Sequence, residues 1–332
     1  MIRGGAIGDF ILTLPAIAAL RRQFPQAHLE VLGYARVTPL AGGLVNRTRS
    51  IEARALAGFF ARGGELAEDW SDYFSEFGII ISYLYDPDEI FENNVRRCTR
   101  AQFIPGPHRA DEQTRLHAAK VYLQPLERLA IFDADHVPRL TLNSQLPVLR
   151  PVLRSAPGKG GSASLPSVGL AEETDEGGST PNQLALHPGS GSELKNWPQP
   201  KWAELLDHLA HSAEFNLLLV GGEAEGDRLQ QLSRQAGMPP ARLRVAQSLP
   251  LVELARRLQA CTAFIGHDSG ISHLAAAAGL PGLILWGDTV EEIWRPPSEK
   301  MIVLRHPKGL ASLEVREVLG RLRELSAYAG VL

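Results

Sequence analysis

The sequence predicts an α/β protein of two doubly wound, Rossmann-like domains facing a central cleft. Three observations carry that expectation. Short apolar segments alternate with helical ones along most of the 332 residues, the pattern of parallel strands covered by helices on both faces. Three glycine-rich turns each feed a helix, at Gly4–Asp9, Pro188–Ser192 and Asp268–Gly270. A stretch dense in Gly, Ser and Pro, Ser155–Asn182, with acids at Glu172, Glu173, Asp175 and Glu176, then splits the chain. It shows no apolar period and reads as a flexible linker or a disordered insertion. The expected organisation is a first domain over 1–154, the linker over 155–182 and a second domain over 183–332.

In the first half, Leu29–Leu32, Ile51–Ala53, Ile79–Leu84 and Gln102–Ile104 read as strands. Glu65–Phe77 and Glu112–Leu123 read as helices, and a further helix follows Asp9, with Leu12, Ile17 and Leu20 on its apolar side. Only Met1, Ile2 and Arg3 precede the first turn, whereas a strand usually runs five or six residues. Either the first strand is unusually short or the natural chain starts earlier. In the second half, Leu184–His187, Asn216–Val220, Arg244–Ala246, Ala263–Ile265, Gly282–Leu285 and Met301–Leu304 read as strands. Leu251, Leu254, Ala255 and Leu258 share one helical face, and Pro200 suits the first turn of another helix.

Composition narrows the function classes. A net charge of −3 and a pI near 6.4 argue against a general nucleic-acid binder. Cys98 and Cys261 lie far apart without ligand spacing around them, so free thiols in a reducing compartment are expected. No apolar run is long enough to span a bilayer, and no signal peptide precedes the first turn. A cytoplasmic protein is therefore expected. No GxxxxGK[ST] phosphate loop, no GxGxxG after the first strand and no GxSxG elbow occurs, which removes the usual signatures of nucleotide hydrolases, dinucleotide oxidoreductases and serine hydrolases.

The richest segment is Phe264–Gly279, FIGHDSGISHLAAAAG. A strand that delivers its turn to a helix N-terminus makes an anion site, because several unpaired backbone N–H groups point the same way. Gly270 lets the backbone approach a ligand, and Asp268 and His273 bracket it. Gly279 and Pro281 end the helix. Three such junctions in one chain point to a ligand cleft at strand ends.

Together, GAIGDFILTLPAIAALRRQFP, LALHPGSGSELKNWP, LLVGGEAEGDR and GHDSGISHLAAAAGLPGLILWGDT resemble glycosyltransferase family 9, the ADP-heptose:lipopolysaccharide heptosyltransferases. The blocks occur in the family's order and cover both halves of the chain. The resemblance implies a GT-B fold, with the nucleotide-sugar donor held mainly by the second domain and a lipid-linked glycan acceptor by the first. It also implies an inverting transfer with no cofactor and no bound metal. A monomer is expected, and any membrane contact would be peripheral, at the inner face of the inner membrane.

Under that resemblance Asp9 matches the base that takes a proton from the acceptor hydroxyl; by residue type alone it is an N-cap aspartate. Lys195 matches a lysine on the donor diphosphate, where a cation would offset charge building on the leaving group. Ser190 and Gly191 would offer a hydroxyl and close backbone to the same phosphates. Glu223 matches an acid near the ribose, although a plain turn carboxylate is an equal reading. Asp268, Ser269, Gly270 and His273 match the most diagnostic block, with Ser269 where many members carry Thr. The Asp288–Thr289 pair is a weaker candidate to line the cleft. For the acceptor, Arg96 and Arg97 are the best of many first-domain arginines, most of which belong to a solvated mixed surface.

Alternatives stay open. Asp86–Asp88 and Asp133–Asp135 are D-x-D patterns of the kind that hold a metal on a donor diphosphate, but they read here as a helix start and a loop. A nucleotide-sugar epimerase would keep the fold and change the chemistry; a catalytically degenerate GT-B binding module is favoured by the short first strand, while Asp9, Lys195, Asp268 and His273 together argue against it.

Overall fold

The computed structural model describes residues 1–142, 182–212, 215–222 and 225–328. The first sheet contains β1 (Ile2–Arg3), β2 (Glu30–Gly33), β3 (Arg47–Ser50), β4 (Ile79–Ser82) and β5 (Gln102–Pro105), all parallel, in the order β3-β2-β1-β4-β5. Its helices are α1 (Ile7–Gln23), α2 (Glu68–Ser75), α3 (Ile90–Arg96) and α4 (Ala118–Leu123). The second sheet contains β6 (Gln183–His187), β7 (Asn216–Gly221), β8 (Leu243–Gln247), β9 (Ala263–His267), β10 (Gly282–Leu285) and β11 (Met301–Leu304), again parallel, in the order β8-β7-β6-β9-β10-β11. Helices α5 (Gln199–His211), α6 (Gly226–Ala236), α7 (Leu251–Gln259), α8 (Gly270–Ala277), α9 (Glu291–Trp294) and α10 (Val315–Tyr328) accompany it. In both sheets the strand order reverses beside the first strand, between β1 and β4 and between β6 and β9. Ligands of open α/β sheets sit at such switch points, and all three glycine turns leave the strands that flank them.

Two expectations for the first half need correction. The strand expected at Ile51–Ala53 is instead β3 at Arg47–Ser50, paired with β2 from Glu30↔Arg47 to Gly33↔Ser50. It is an edge strand reading RTRS and partly exposed, so no apolar pattern marks it. The helix expected over Glu112–Leu123 begins only at Ala118. Asp111 holds the preceding residues in a turn, its carboxylate accepting from Gln113 N and its carbonyl from the Thr114 hydroxyl. The His117 ring then caps α4 by accepting from Ala119 N. Of the linker expected over Ser155–Asn182, only Asn182 lies within the described residues; its carbonyl accepts from Asn216 N. The short β1 is two residues long and pairs with both β2 and β4.

Helix α1 explains how the two sheets meet. Every residue from Phe10 to Ile17 is buried, more than a one-sided surface helix would hide, because α1 lies between two partners. Phe10, Ile11, Leu14 and Ile17 share an apolar cluster with Leu274, Ala275 and Ala277 of α8. Leu12, Ala16, Ala19 and Leu20 share another with Ala118, Val121 and Tyr122 of α4. Each fully buried Leu, Ile or Phe contributes about 1.5–3 kcal/mol, so this seam is a large share of the inter-sheet adhesion. Polar stitches flank it. His117 Nε2 donates to Arg295 O at 2.9 Å, Leu140 N to Ala277 O at 2.9 Å, and Trp294 Nε1 to Glu112 Oε1 at 3.1 Å. No helix among the described residues is long and apolar enough to cross a membrane.

Candidate active site between two helix N-termini

The N-termini of α1 and α8 meet tip to tip. A Cβ added at Gly270 would stand 2.8 Å from Ile7 Cβ and 3.1 Å from Gly8 N, and one at Gly8 would stand 3.2 Å from His273 Cδ2. Only glycine permits this approach. Two positive helix ends are thereby directed into one region, which favours a negatively charged ligand between them. Ser269 is the N-cap of α8, its hydroxyl accepting from Ser272 N. The Ser272 hydroxyl in turn donates to His267 O.

Asp268 lies just before that cap and is 8% exposed. Its Oδ2 accepts from Lys195 Nζ at 2.6 Å and from the Thr289 hydroxyl at 2.7 Å. Lys195 comes from the turn after β6, so the ion pair ties together the two turns of the second sheet. In the same turn, Ser190 Oγ lies 2.8 Å from both Ser192 O and Asn196 Oδ1, and Gly191 adopts φ +73°, a left-handed value suited to glycine. Lys195 also faces the opposite domain, where its charge helps hold the Glu112 carboxyl below the usual carboxylate range, after larger effects of Trp294 and Arg109.

Across the seam, Asp9 sits in the first turn of α1, not at the N-cap that its residue type suggested; Ala6 is the cap. Asp9 Oδ2 accepts from Ala6 N at 3.1 Å and Oδ1 from the Tyr122 hydroxyl at 3.2 Å. Arg3 NH2 is 3.6 Å from Oδ1, and the Asp9 side chain keeps 27% of its exposure. The Arg3 guanidinium is buried, lies 4.4 Å from the centre of the Tyr122 ring, and donates to the carbonyls of Tyr83 and His108. Its Nε and NH2 find no hydrogen-bond acceptor.

His273 stands between the two carboxylates. Burial holds its pKa down at about 4, against opposing pulls from Asp268 and Asp9. Its Nδ1 is buried without a hydrogen-bond partner. It is a neutral imidazole packed on the Gly8 backbone.

The structure thus brings Asp9, Ser190, Gly191, Lys195, Asp268, Ser269, Gly270 and His273 to the facing ends of the two sheets. Thr289 joins them through Asp268, while Asp288 is exposed. Glu223 lies outside the described residues. Arg96 and Arg97 are not brought to Asp9. Both lie at the end of α3, Arg96 paired with Glu92 and Arg97 donating to Gly64 O and Asn94 Oδ1. Both D-x-D patterns hold local structure. Asp86 accepts from Phe91 N and Glu92 N at the start of α3, and Asp135 from Val137 N and Arg139.

Sequence reading missed four residues around this site. Arg3 and Tyr122 converge on Asp9 from 119 positions apart in the chain. Arg228 grips the turn after β6, pairing with both oxygens of Glu193 at 2.7 Å and reaching Pro188 O. His267 ties that turn to β9: its Nδ1 donates to Gly189 O, and its Nε2 accepts from Trp197 N at 2.9 Å. Burial depresses its pKa to about 3, so it is a neutral staple. The His in the strand-end HDSG run was the one signal available for any of the four.

Comparisons with known proteins agree with this architecture. Residues 160–320 match the model of the family described as glycosyltransferase family 9 (heptosyltransferase). Lipopolysaccharide heptosyltransferase 3 of Escherichia coli is 23% identical over 300 residues, which cover 89% of this chain and 85% of that protein. The glycosyl transferase family 9 structure from Veillonella parvula superposes with a TM-score of 0.71 at 17% identity, covering 98% of this chain and 96% of the other. E. coli ADP-heptose lps heptosyltransferase II superposes at 0.70 and 16% identity, covering 98% and 97%. Two parallel-sheet domains in this arrangement are the GT-B fold. The second half of the chain thus carries the likeness to glycosyltransferase family 9, the whole chain has the GT-B fold of that family's solved structures, and the chain is a glycosyltransferase.

Proposed function

We propose that this chain transfers a heptose from ADP-heptose to a lipopolysaccharide-core or related glycan, with inversion at the anomeric carbon and without a metal. The observation that carries the reading is the Lys195–Asp268 pair at the N-terminus of α8, facing Asp9 across the contact between Gly8 and His273. The names of the E. coli relatives supply the sugar, nucleotide and acceptor class.

In this reading the donor diphosphate lies at the α8 N-terminus, against Ser269 and Gly270, with Ser190, Gly191 and Lys195 on its other side. An acceptor hydroxyl attacks the anomeric carbon as its proton passes to the Asp9 carboxylate. The new bond is oxygen to anomeric carbon; the bond broken joins that carbon to the phosphate oxygen, and its electron pair leaves with ADP. Lys195 and the helix end stabilise the charge that develops on the leaving diphosphate, an effect worth several kcal/mol where water is excluded. His273, held neutral, separates Asp9 from Asp268 without adding a second cation. A single carboxylate facing the helix end suits direct displacement, since a retained configuration would call for a nucleophile on the sugar's opposite face. The capping roles of Asp86 and Asp135 favour diphosphate stabilisation by Lys195 over metal held at a D-x-D pattern.

The test is a calorimetric panel of nucleoside diphosphates with and without magnesium, followed by NMR of the product's anomeric configuration. The reading expects selective binding of ADP that magnesium does not improve, and an inverted linkage. Strict magnesium dependence or a retained configuration would overturn it. Conversion of the donor sugar without any acceptor would point to the epimerase.

A further inference from the structure

We propose that the cavity at the C-terminal ends of β4 and β5 holds a pyranose ring of the acceptor that carries no acid group, with Tyr85 as the platform on which the ring lies. The inference rests on the transferase reading above and names the chemistry of its acceptor side. The cavity measures about 300 Å³, and its walls include Tyr85, Asp86, Glu89, Glu92, Phe103 and His108.

Tyr85 is the first reason. It is 72% exposed, the largest exposure among the big apolar side chains described. Its ring is braced against His108 at 4.6 Å between centroids. An aromatic ring braced on one side and open to the cavity on the other is a flat platform already held in place for a ligand. A pyranose matches it, since one face of the ring is lined by C–H groups while the hydroxyls point outward. Those hydroxyls need acceptors, and three carboxylates line the walls. Asp86 uses one lone pair on each oxygen for α3 backbone N–H groups, leaving further acceptor capacity on both. Glu89 adopts φ 54°, a left-handed conformation costly for a residue with a Cβ.

Charge is the second reason. No lysine or arginine lines the cavity. Two guanidiniums lie close by: Arg3 reaches the carbonyl of the wall residue His108 and turns its NH2 towards Asp9, and Arg96 is paired with Glu92 and lies over Phe103 at 5.9 Å. With Glu92 balanced and the Arg3 charge shared with Asp9, Asp86 and Glu89 leave the walls negative. A carboxylated or phosphorylated sugar would be repelled there, so the ring carries no acid group.

Position is the third. Arg3 donates from NH1 to Tyr83 O and to His108 O at 2.8 Å, while its NH2 lies 3.6 Å from Asp9. Leu84, another wall residue, packs 3.4 Å from where a Gly4 Cβ would stand. The cavity and Asp9 are thus two sides of one buried guanidinium. A ring seated on Tyr85 lies beside the hydroxyl that Asp9 deprotonates.

The test uses the full chain and saturation-transfer NMR with three probes: a neutral methyl glycopyranoside, the matching methyl uronide, and an amino-sugar glycoside. The neutral ring is expected to give a stronger signal than the uronide, and the amino sugar, a cation beside Asp86 and Glu89, is expected to bind at least as well as the neutral ring. Tyr85→Ala should abolish the neutral ring's signal, and Tyr85→Trp should restore it. In transfer assays Tyr85→Ala should raise the acceptor KM about tenfold, with the donor KM and Tm unchanged. An equal signal from wild type and Tyr85→Ala, or stronger binding of the uronide than of the neutral ring, would overturn the proposal. ADP binding on the same samples separates the two readings: failure of ADP binding with the ring signal intact refutes the transferase assignment and not this site.

Discussion

Asp9 and Asp268 both stand where a central strand hands over to a helix through a glycine-containing turn, yet their surroundings differ. Asp268 is nearly sealed, and one of its oxygens takes both the Lys195 ammonium and the Thr289 hydroxyl. Asp9 keeps about a quarter of its side-chain surface, accepts only from two neutral donors, and has its nearest cation at 3.6 Å. A carboxylate engaged by a cation organises its neighbours and is a poor proton acceptor. One held in place by neutral donors, with a lone pair still facing the cleft, is free to act. The pair shows that partners, more than residue type or motif position, assign the role.

Among the supporting positions, Lys195→Ala should widen the difference most. It removes the cation from the proposed diphosphate site and leaves Asp268 with Thr289 alone. We expect kcat/KM to fall about 100-fold, with donor affinity falling too, in steady-state assays and ADP titrations. Wild-type values would take Lys195 out of the site.

Arg3→Met probes the other carboxylate. Methionine preserves much of the packing under Tyr122 while deleting the charge near Asp9. Because the buried guanidinium helps fix Asp9 and Tyr122 in place, kcat should fall about tenfold with the donor KM unchanged, and Arg3→Lys should restore most of it. An unchanged kcat with a lowered Tm would make Arg3 purely structural.

The smallest effect concerns the histidine staples of the second sheet. His267 is neutral in the fold, with its pKa pushed down to about 3 by burial, and an exposed histidine titrates near 6.5. Unfolding therefore takes up a proton below about pH 6.5. This histidine's stabilisation is complete above that pH and is lost as pH falls towards 3, at about 1.4 kcal/mol per unit. His273, held at about 4, and His187, also lowered by burial, act in the same direction. His267→Gln should flatten the fall of Tm between pH 7 and 4.5; an unchanged slope would place the acid sensitivity elsewhere.

The second sheet was legible from sequence because most of its strands are buried apolar runs, with glycine turns behind β6, β7 and β10 and the Asp268–Gly270 turn behind β9. All six were anticipated, and β6, β10 and β11 end where expected. The first sheet hid β3, whose RTRS residues face solvent along an edge, and shortened α4, whose apparent helical run yields to a turn nucleated by Asp111. At the candidate site the motif residues were visible and their partners were not. Arg3 looks like a basic residue near a chain start until a two-residue strand buries it, and nothing in the sequence links it to Tyr122. Arg96 and Arg97 stand at a helix end as expected, but charge and position do not reveal that Arg96 is paired with Glu92 and that Arg97 donates to Gly64 O and Asn94 Oδ1.

The most direct measurement compares transfer and donor binding in Asp9→Asn. The amide keeps size and shape but cannot take a proton, so turnover should fall about a thousandfold, while ADP affinity stays within about twofold because no diphosphate contact is assigned to this side chain. Turnover within tenfold of wild type, or a parallel loss of ADP binding, would contradict the account.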